Sequence, residues 1–380
     1  MTATRGLSWR RFYAVLVKEF VQMRRDRLTF AMMVVIPIMQ LVLFGYAINA
    51  DPRALPTAVL IADDSPYARS FVAALENSGY FRIVRTLVTE VEAEHALARG
   101  DVQFVVSIPA GLARALERGE RPAVLVEADA ADPAATSNAL ATLLTLNQHV
   151  FDRDLGGPLA QLKAGPPPFE IRVHRRYNPE GITRYNIVPG LIGTILTMTM
   201  VMMTALAMTR ERERGTMENL LATPVRPAEV MAGKIAPYIL VGYVQVSIIL
   251  IAARLLFDVP MVGSLTLLSV ALVLFIAANL AVGFTFSTLA RNQLQAVQMA
   301  FFFFLPSILL SGFMFPFRGM PTWAQWLGEA LPLTHFLRIL RGVLLKGNGW
   351  TDIAPEVWPI VAFLVAAAAL ALVRYRETLD

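Results

Sequence analysis

The chain has 380 residues, a net charge of +5, 56% hydrophobic residues and only 17% charged ones. Soluble domains carry about a quarter charged residues, so the deficit points to membrane spans rather than to one large soluble core. With no cysteine, disulfides, thiolate metal sites, iron–sulfur clusters and cysteine nucleophiles are excluded. No basic stripe interleaved with aromatics is present, so nucleic acid is not expected as a partner.

The first element runs from Ser8 to Arg27. Trp9, Phe12, Tyr13, Leu16, Phe20 and Met23 recur at helical spacing, with Arg10, Arg11, Lys18, Gln22 and Arg25 on the other side. Such a helix lies flat at a bilayer surface. It serves either as a basic anchor or as an elbow that passes motion to the next segment. Residues 1–27 are therefore read as a cytoplasmic amphipathic helix. Residues 28–48 form an apolar run of the length a bilayer crossing needs, ~20 residues. It is longer than the ~7–15-residue core of a secretory signal and reads as retained transmembrane helix 1.

Residues 49–184 change character. Short β-branched runs at Thr57–Ala62, Arg82–Val88, Val102–Ile108, Ala123–Glu127 and Ile171–Tyr177 read as strands. Helical patterns at Ser65–Ser78, Val91–Ala98, Leu112–Arg118 and Thr136–Phe151 alternate with them. Ser65 before Pro66 is a helix cap, and Asp63 and Asp64 beside it read as turn and cap chemistry rather than an acid/base pair. The alternation predicts an α/β domain, extracytoplasmic because it follows the first span.

Five further apolar stretches follow within 185–380: Tyr185–Met208, Ile235–Leu256, Leu265–Leu289, Ala296–Phe313 and Val357–Val373. Arg254 is the single charge in the set as drawn. The predicted fold class is a polytopic α-helical membrane protein with six transmembrane helices, plus an α/β extracytoplasmic domain inserted between helices 1 and 2. Lys and Arg beside the spans place both termini in the cytoplasm. Arg318, Arg338, Arg341 and Lys346 dissent, falling on the outer side. An ion-coupled carrier needs ionisable groups at mid-membrane, and the stretches offer neutral polar groups instead. Asn186, Thr194, Thr197, Asn279 and Gln298 are candidate lining of a translocation path, although the threonines can equally bond their own helix backbone. Phe301 to Phe304 and the methionines of the second span suit hydrophobic or amphipathic cargo better than ions or sugars.

The loop 209–234 carries the densest charge pattern, RERERGTMENLLATP from Arg210 to Pro224. Glu211, Arg212 and Arg214 extend a helix end with alternating charge. Gly215 permits a change of direction, and Thr216 can cap a second helix that Pro224 closes, with Glu218 one place too early for the usual capping box. Met217, Leu220 and Leu221 form an exposed apolar ridge that wants a partner, and Thr223 precedes the closing proline. Gly233–Lys234 lacks the earlier glycine and following hydroxyl of a phosphate-binding loop, so no nucleotide site is expected on this chain. The four histidines lack metal-ligand spacing; His335 reads as a structural side chain. Residues 314–350, rich in Trp, Phe and Pro, suit an interfacial aromatic belt.

Two stretches, ERERGTMENLLATPVRPAEVMAGK and LSGFMFPFRGMPTWAQWLGEALPLTHFLRILRGVLLK, together with the element order, resemble the membrane subunits of ABC-2 type exporters. The resemblance covers essentially the whole chain. It implies that the loop residues Glu211 to Pro224 form a coupling helix docked on a separate ABC ATPase subunit. ATP and Mg would be bound there, and this chain would carry no cofactor or metal and catalyse nothing itself. It also implies short re-entrant helices in 314–350, export of drugs or lipid-like molecules, and a bacterial inner-membrane location. A second permease chain, forming a homodimer or paralogous heterodimer, would complete the path among membrane lipids. Whether a periplasmic adaptor binds the outer domain stays open. An ion-coupled secondary carrier and a membrane receptor with a ligand-sensing outer domain are the rival readings.

Overall fold

The computed structural model describes residues 52–152, 154–155, 166–213 and 227–374. The expected amphipathic helix, the first span and residues 214–226 lie outside the described residues.

Five strands pair in the order β2-β1-β3-β4-β5. They are β1 (Leu55–Ile61), β2 (Phe81–Leu87), β3 (Phe104–Ile108), β4 (Ala123–Asp129) and β5 (Glu170–Arg176). β3 and β4 run antiparallel, and the other neighbours are parallel. Parallel neighbours need crossovers, which are supplied by α1 (Pro66–Asn77), α2 (Glu90–Arg99) and α4 (Pro133–His149), with α3 (Leu112–Glu117) between β3 and β4. β1 and β3 read as nearly continuous apolar runs because both their faces are covered. The edge strands carry Arg82 and Arg85 on one side and Arg172, Arg175 and Arg176 on the other, charges that discourage further pairing.

The two sheet faces are covered unequally. Leu55, Val59, Phe104, Val106 and Val126 pack against α1, α3 and α4 through Phe71, Leu112 and Leu143. The opposite residues, Ala58 and Val105, pack against α2 alone, through Ala93, Ala96 and Leu97. Ser65 caps α1 as expected, its Oγ accepting from Ala68 N at 3.3 Å. Asp63 accepts from the backbone N–H of Ser65 and Ala113, so it works as turn chemistry. α2 starts at Thr89, whose Oγ1 accepts from Glu92 N at 3.2 Å. It ends at Gly100 with φ +77°, a left-handed C-cap that a side chain would strain.

The second half is helical: α5 (Thr183–Glu213), α6 (Pro227–Phe257), α7 (Leu265–Leu289), α8 (Gln293–Leu310), α9 (Thr322–Glu329), α10 (Pro332–Arg341) and α11 (Trp350–Arg374). Among the described residues, five of these (α5, α6, α7, α8 and α11) are long and apolar enough to cross a membrane. α7 sits at the centre and packs against α5, α6, α8 and α11. The crossing with α5 is close. A Cβ on Gly283 would lie 2.5 Å from the Val201 carbonyl oxygen and 2.9 Å from Thr204 Cβ, so the smallest residue is what lets the two backbones meet.

Two of the span boundaries that differ from the sequence expectation bear on the site. α11 begins at Trp350 rather than Val357, because Asp352 and Glu356 in its first turns hide it from an apolar window. The span therefore contains acidic residues that the sequence boundary left out. α8 ends at Leu310 rather than Phe313, where Gly312 turns the chain at φ +79°. The segment between α8 and α11 continues through a 3-10 turn at Phe317–Gly319, α9 and α10, and a π turn at Gly342–Lys346. α10 folds back onto the bundle: Leu333, Phe336, Leu337 and Leu340 join its core, and the Phe336 and Phe275 rings stack at 4.0 Å.

Candidate functional site

The charged loop enters the structure through its edges. Glu211 and Arg212 lie in the last turn of α5; Arg214, Gly215, Thr216, Met217, Glu218, Leu220, Leu221, Thr223 and Pro224 lie outside the described residues. Glu213, in the sequence only one of the alternating charges from Glu211 to Arg214, clamps α5 to the start of α8. Its Oε1 accepts from Gln293 N at 2.8 Å and its Oε2 from Gln293 Nε2 at 2.5 Å. These bonds hold the Glu213 carboxyl below its usual pKa, and a carboxylate is well placed at the positive end of a helix. α8 is capped a second time: Asn292 Oδ1 accepts from Gln295 N at 2.8 Å, and Gln295 Oε1 accepts from Arg291 N at 2.9 Å. The clamp joins residues 80 apart in sequence, which no local pattern announces.

The five candidate path residues do not converge by hydrogen bonding on one another. Asn186 sits in the first turn of α5 and donates to Asp132 Oδ1 of the α/β domain at 3.1 Å. Thr194 and Thr197 donate to the Leu191 and Gly193 carbonyls of their own helix, the bland alternative for such residues. Asn279 is fully buried and donates to the Phe275 carbonyl. Its Oδ1, like Gln298 Oε1, is buried without a hydrogen-bond partner. Asn186 Oδ1 is buried without a partner too, and because a buried unsatisfied amide oxygen is costly, Asn186, Asn279 and Gln298 are the three whose placement calls for a partner. A different polar contact inside the bundle is Thr199 Oγ1 donating to Gln245 Oε1 at 3.0 Å, between α5 and α6.

The segment between α8 and α11 and the start of α11 hold an ionic cluster. His335 bonds through Nδ1 to Glu356 Oε2 at 2.5 Å and through Nε2 to the Glu329 carbonyl at 2.8 Å. Arg338 pairs with Glu329 at 2.6 Å and Glu356 at 3.3 Å. Burial pulls the His335 pKa down, but the hydrogen bonds to Glu356 and the Glu329 carbonyl outweigh it, and the imidazole sits above its ordinary 6.5. Both ring nitrogens are engaged, as a structural histidine requires, and Glu356 is engaged by both His335 and Arg338. Among the described residues no group of His, Asp and Glu side chains could hold a metal ion.

Three of the four dissenting cations, Arg318, Arg341 and Lys346, find their reason in the α/β domain, which they join to the bundle, while Arg338 pairs within the helical half. α2 ends with its carbonyls pointing at them. Lys346 Nζ donates to Leu97 O at 3.1 Å, Asn348 Nδ2 to Ala98 O at 2.9 Å, and Arg318 to Gly100 O at 3.4 Å. Lys346 also pairs with Asp129 at 2.5 Å, with both side chains largely buried, and its ammonium lies 5.1 Å from the Tyr177 ring centre. Arg99 pairs with Asp352 at 3.3 Å. Cations meeting the last carbonyls of a helix complement its negative end.

Comparison with known proteins places this architecture. A family model described as "ABC-2 family transporter protein" matches residues 27–373. The "Probable multidrug ABC transporter permease YbhS" of Escherichia coli K12 is 31% identical over 372 residues, covering 96% of this chain and 95% of that protein. YbhR of the same strain, with the same description, is 25% identical over 97% of this chain and 98% of its own length. The "Inner membrane transport permease YhhJ" is 27% identical over 85% of this chain and 86% of its own length.

Proposed function

Since the chain belongs to the ABC-2 family of transporter proteins, we propose that it is the membrane subunit of an ATP-driven exporter. In this reading it moves hydrophobic or amphipathic compounds, drugs or lipid-like molecules, out of the cytoplasm or the inner leaflet. ATP and Mg are bound by a separate ABC ATPase subunit, and this chain is the permease. A second permease chain, identical or paralogous, completes the path in the bacterial inner membrane, with both termini cytoplasmic.

The observation that carries the reading is the Glu213–Gln293 clamp. It ties the helix leading into the charged loop to the start of α8, so a push received at Glu211 to Pro224 would move two spans together. The names of the relatives, multidrug and transport permeases, support the cargo class. An ion-coupled carrier would need a free carboxylate inside the bundle. The two acidic residues of α11 are both held instead, Glu356 by His335 and Arg338 and Asp352 by Arg99.

Co-expression with an ABC ATPase encoded beside it, purification in detergent and reconstitution test the proposal. The expected outcome is a stable complex whose vesicles accumulate a fluorescent amphipath only with ATP and Mg. Accumulation driven by a proton or sodium gradient after ATP removal would refute it.

A further inference from the structure

Between the α/β domain and the outer ends of α10 and α11 lies a cavity of about 530 Å³. Six Lys and Arg side chains and five carboxylates line it. Three of the cations are matched: Lys346 with Asp129, Arg99 with Asp352, and Arg338 with Glu356. The rest are not matched so well. Arg318 and Arg85 have no carboxylate within 4.0 Å among the described residues, and Arg318 gives one long hydrogen bond to the Gly100 carbonyl. Arg341 reaches Asp132 only at 4.0 Å and bonds the Gly312 carbonyl, while its Nε is buried with no hydrogen-bond partner. Two lining amide oxygens, Gln103 Oε1 and Asn348 Oδ1, are likewise buried without a donor.

Buried polar atoms are normally satisfied, and each exception asks for a cause. The surplus here has two kinds. Guanidinium N–H groups call for an anion, which they bind with charge-assisted hydrogen bonds. The two acceptors call for a hydroxyl or ammonium hydrogen close to that anion. We infer that the seam between the α/β domain and the helical bundle binds a phosphate ester carrying a hydroxyl or ammonium group, with Arg318 and Arg341 on the phosphate and Gln103 and Asn348 on the donor. The cavity lies where α11 begins, beside the exposed Trp350, and where Asn186 near the start of α5 meets Asp132. Exposed tryptophans at the ends of spans mark the headgroup level of a bilayer. A lipid headgroup can therefore reach the site from the side, and a soluble phosphate ester from above.

The site does not depend on ATP-driven export, and a chain that exported nothing would still bind. The test uses the full chain in detergent micelles, titrated calorimetrically with dihexanoyl phosphatidylglycerol and, separately, with glycerol 3-phosphate. Saturable binding is expected, weakened at least about tenfold in Arg318→Gln, the loss of one charge-assisted hydrogen-bonding group. Arg318→Lys should recover part of it. Arg341→Gln is the second variant, and because Arg318 is exposed the first tests the site even where the second fails to fold. Tighter binding of the short-chain lipid identifies a membrane source, and equal binding of both probes a soluble one. No saturable binding of either probe, or identical affinities for the unaltered chain and a folded Arg318→Gln, overturns the inference.

Discussion

Removing the Lys346 ammonium should release the α/β domain from the bundle. In Lys346→Met the Asp129 carboxylate, 13% exposed, loses a partner at 2.5 Å. Deleting one member of a buried ion pair costs about 3–5 kcal/mol. The lost bond to the last carbonyls of α2 adds about 0.3–1 kcal/mol. Together these shift docking by roughly two to four orders of magnitude. The chain has no cysteine, so one introduced thiol reports without background. Ala131, 4% exposed and packed against Val188 and Leu345 across the seam, is the place for it. In Ala131→Cys the labelling rate should rise by a large factor when Lys346→Met is added. Adding Asp129→Asn as well should return part of the protection, because no unpaired charge then stays buried, with a coupling of about 0.5–3 kcal/mol. Unchanged labelling in Lys346→Met, or strictly additive effects of the two substitutions, would refute the reasoning.

Three more outcomes are expected. Reversing charge at Glu211 and Arg214, or replacing Gly215 by Val, should abolish transport and ATPase stimulation while the amount inserted in the membrane stays constant; undiminished export would refute the coupling role. Gly283→Ala places a methyl 2.5 Å from the Val201 carbonyl oxygen and should cost about 1–3 kcal/mol, read as a lowered melting temperature in detergent. His335 has a folded pKa above its ordinary 6.5. Its contribution to stability is therefore full below pH 6.5 and is lost as pH rises through the folded value. The melting temperature should fall across that range, and a His335→Gln chain measured in parallel should show a flatter profile.

Local signals were strong in the α/β domain. Each strand lies within a few residues of its apolar run, and Ser65 caps α1 because a hydroxyl before proline is a local device. Apolar windows found the five described spans but misjudged the start of α11, since Asp352 and Glu356 are solvated by partners from α2 and α10 rather than by water. The same blindness affected the outer cations. Arg341 and Lys346 read as misplaced topology markers until their acidic partners, distant in sequence, are seen beside them, and Arg338 until Glu329 and Glu356 on the neighbouring helices are. Asn186 was read as path lining by its place in a span, yet its amide faces Asp132. Glu213 looked like one charge among several, and only the fold shows which of them α8 takes up.

α5 has 31 residues, about 46 Å at 1.5 Å per residue. At its N-terminal end the chain arrives from β5 through Tyr177, Asn178 and Gly181. There the buried Asn178 bonds both backbone groups of Ile182, leaving little slack between sheet and rod. At its other end stands the Glu213 clamp. A tilt of about 10° about one end would sweep the other through about 8 Å, by the length of such a rod. The α/β domain is thus linked to the opposite end of the bundle by one continuous helix, and a tilt of that helix at one end must displace the seam at the other.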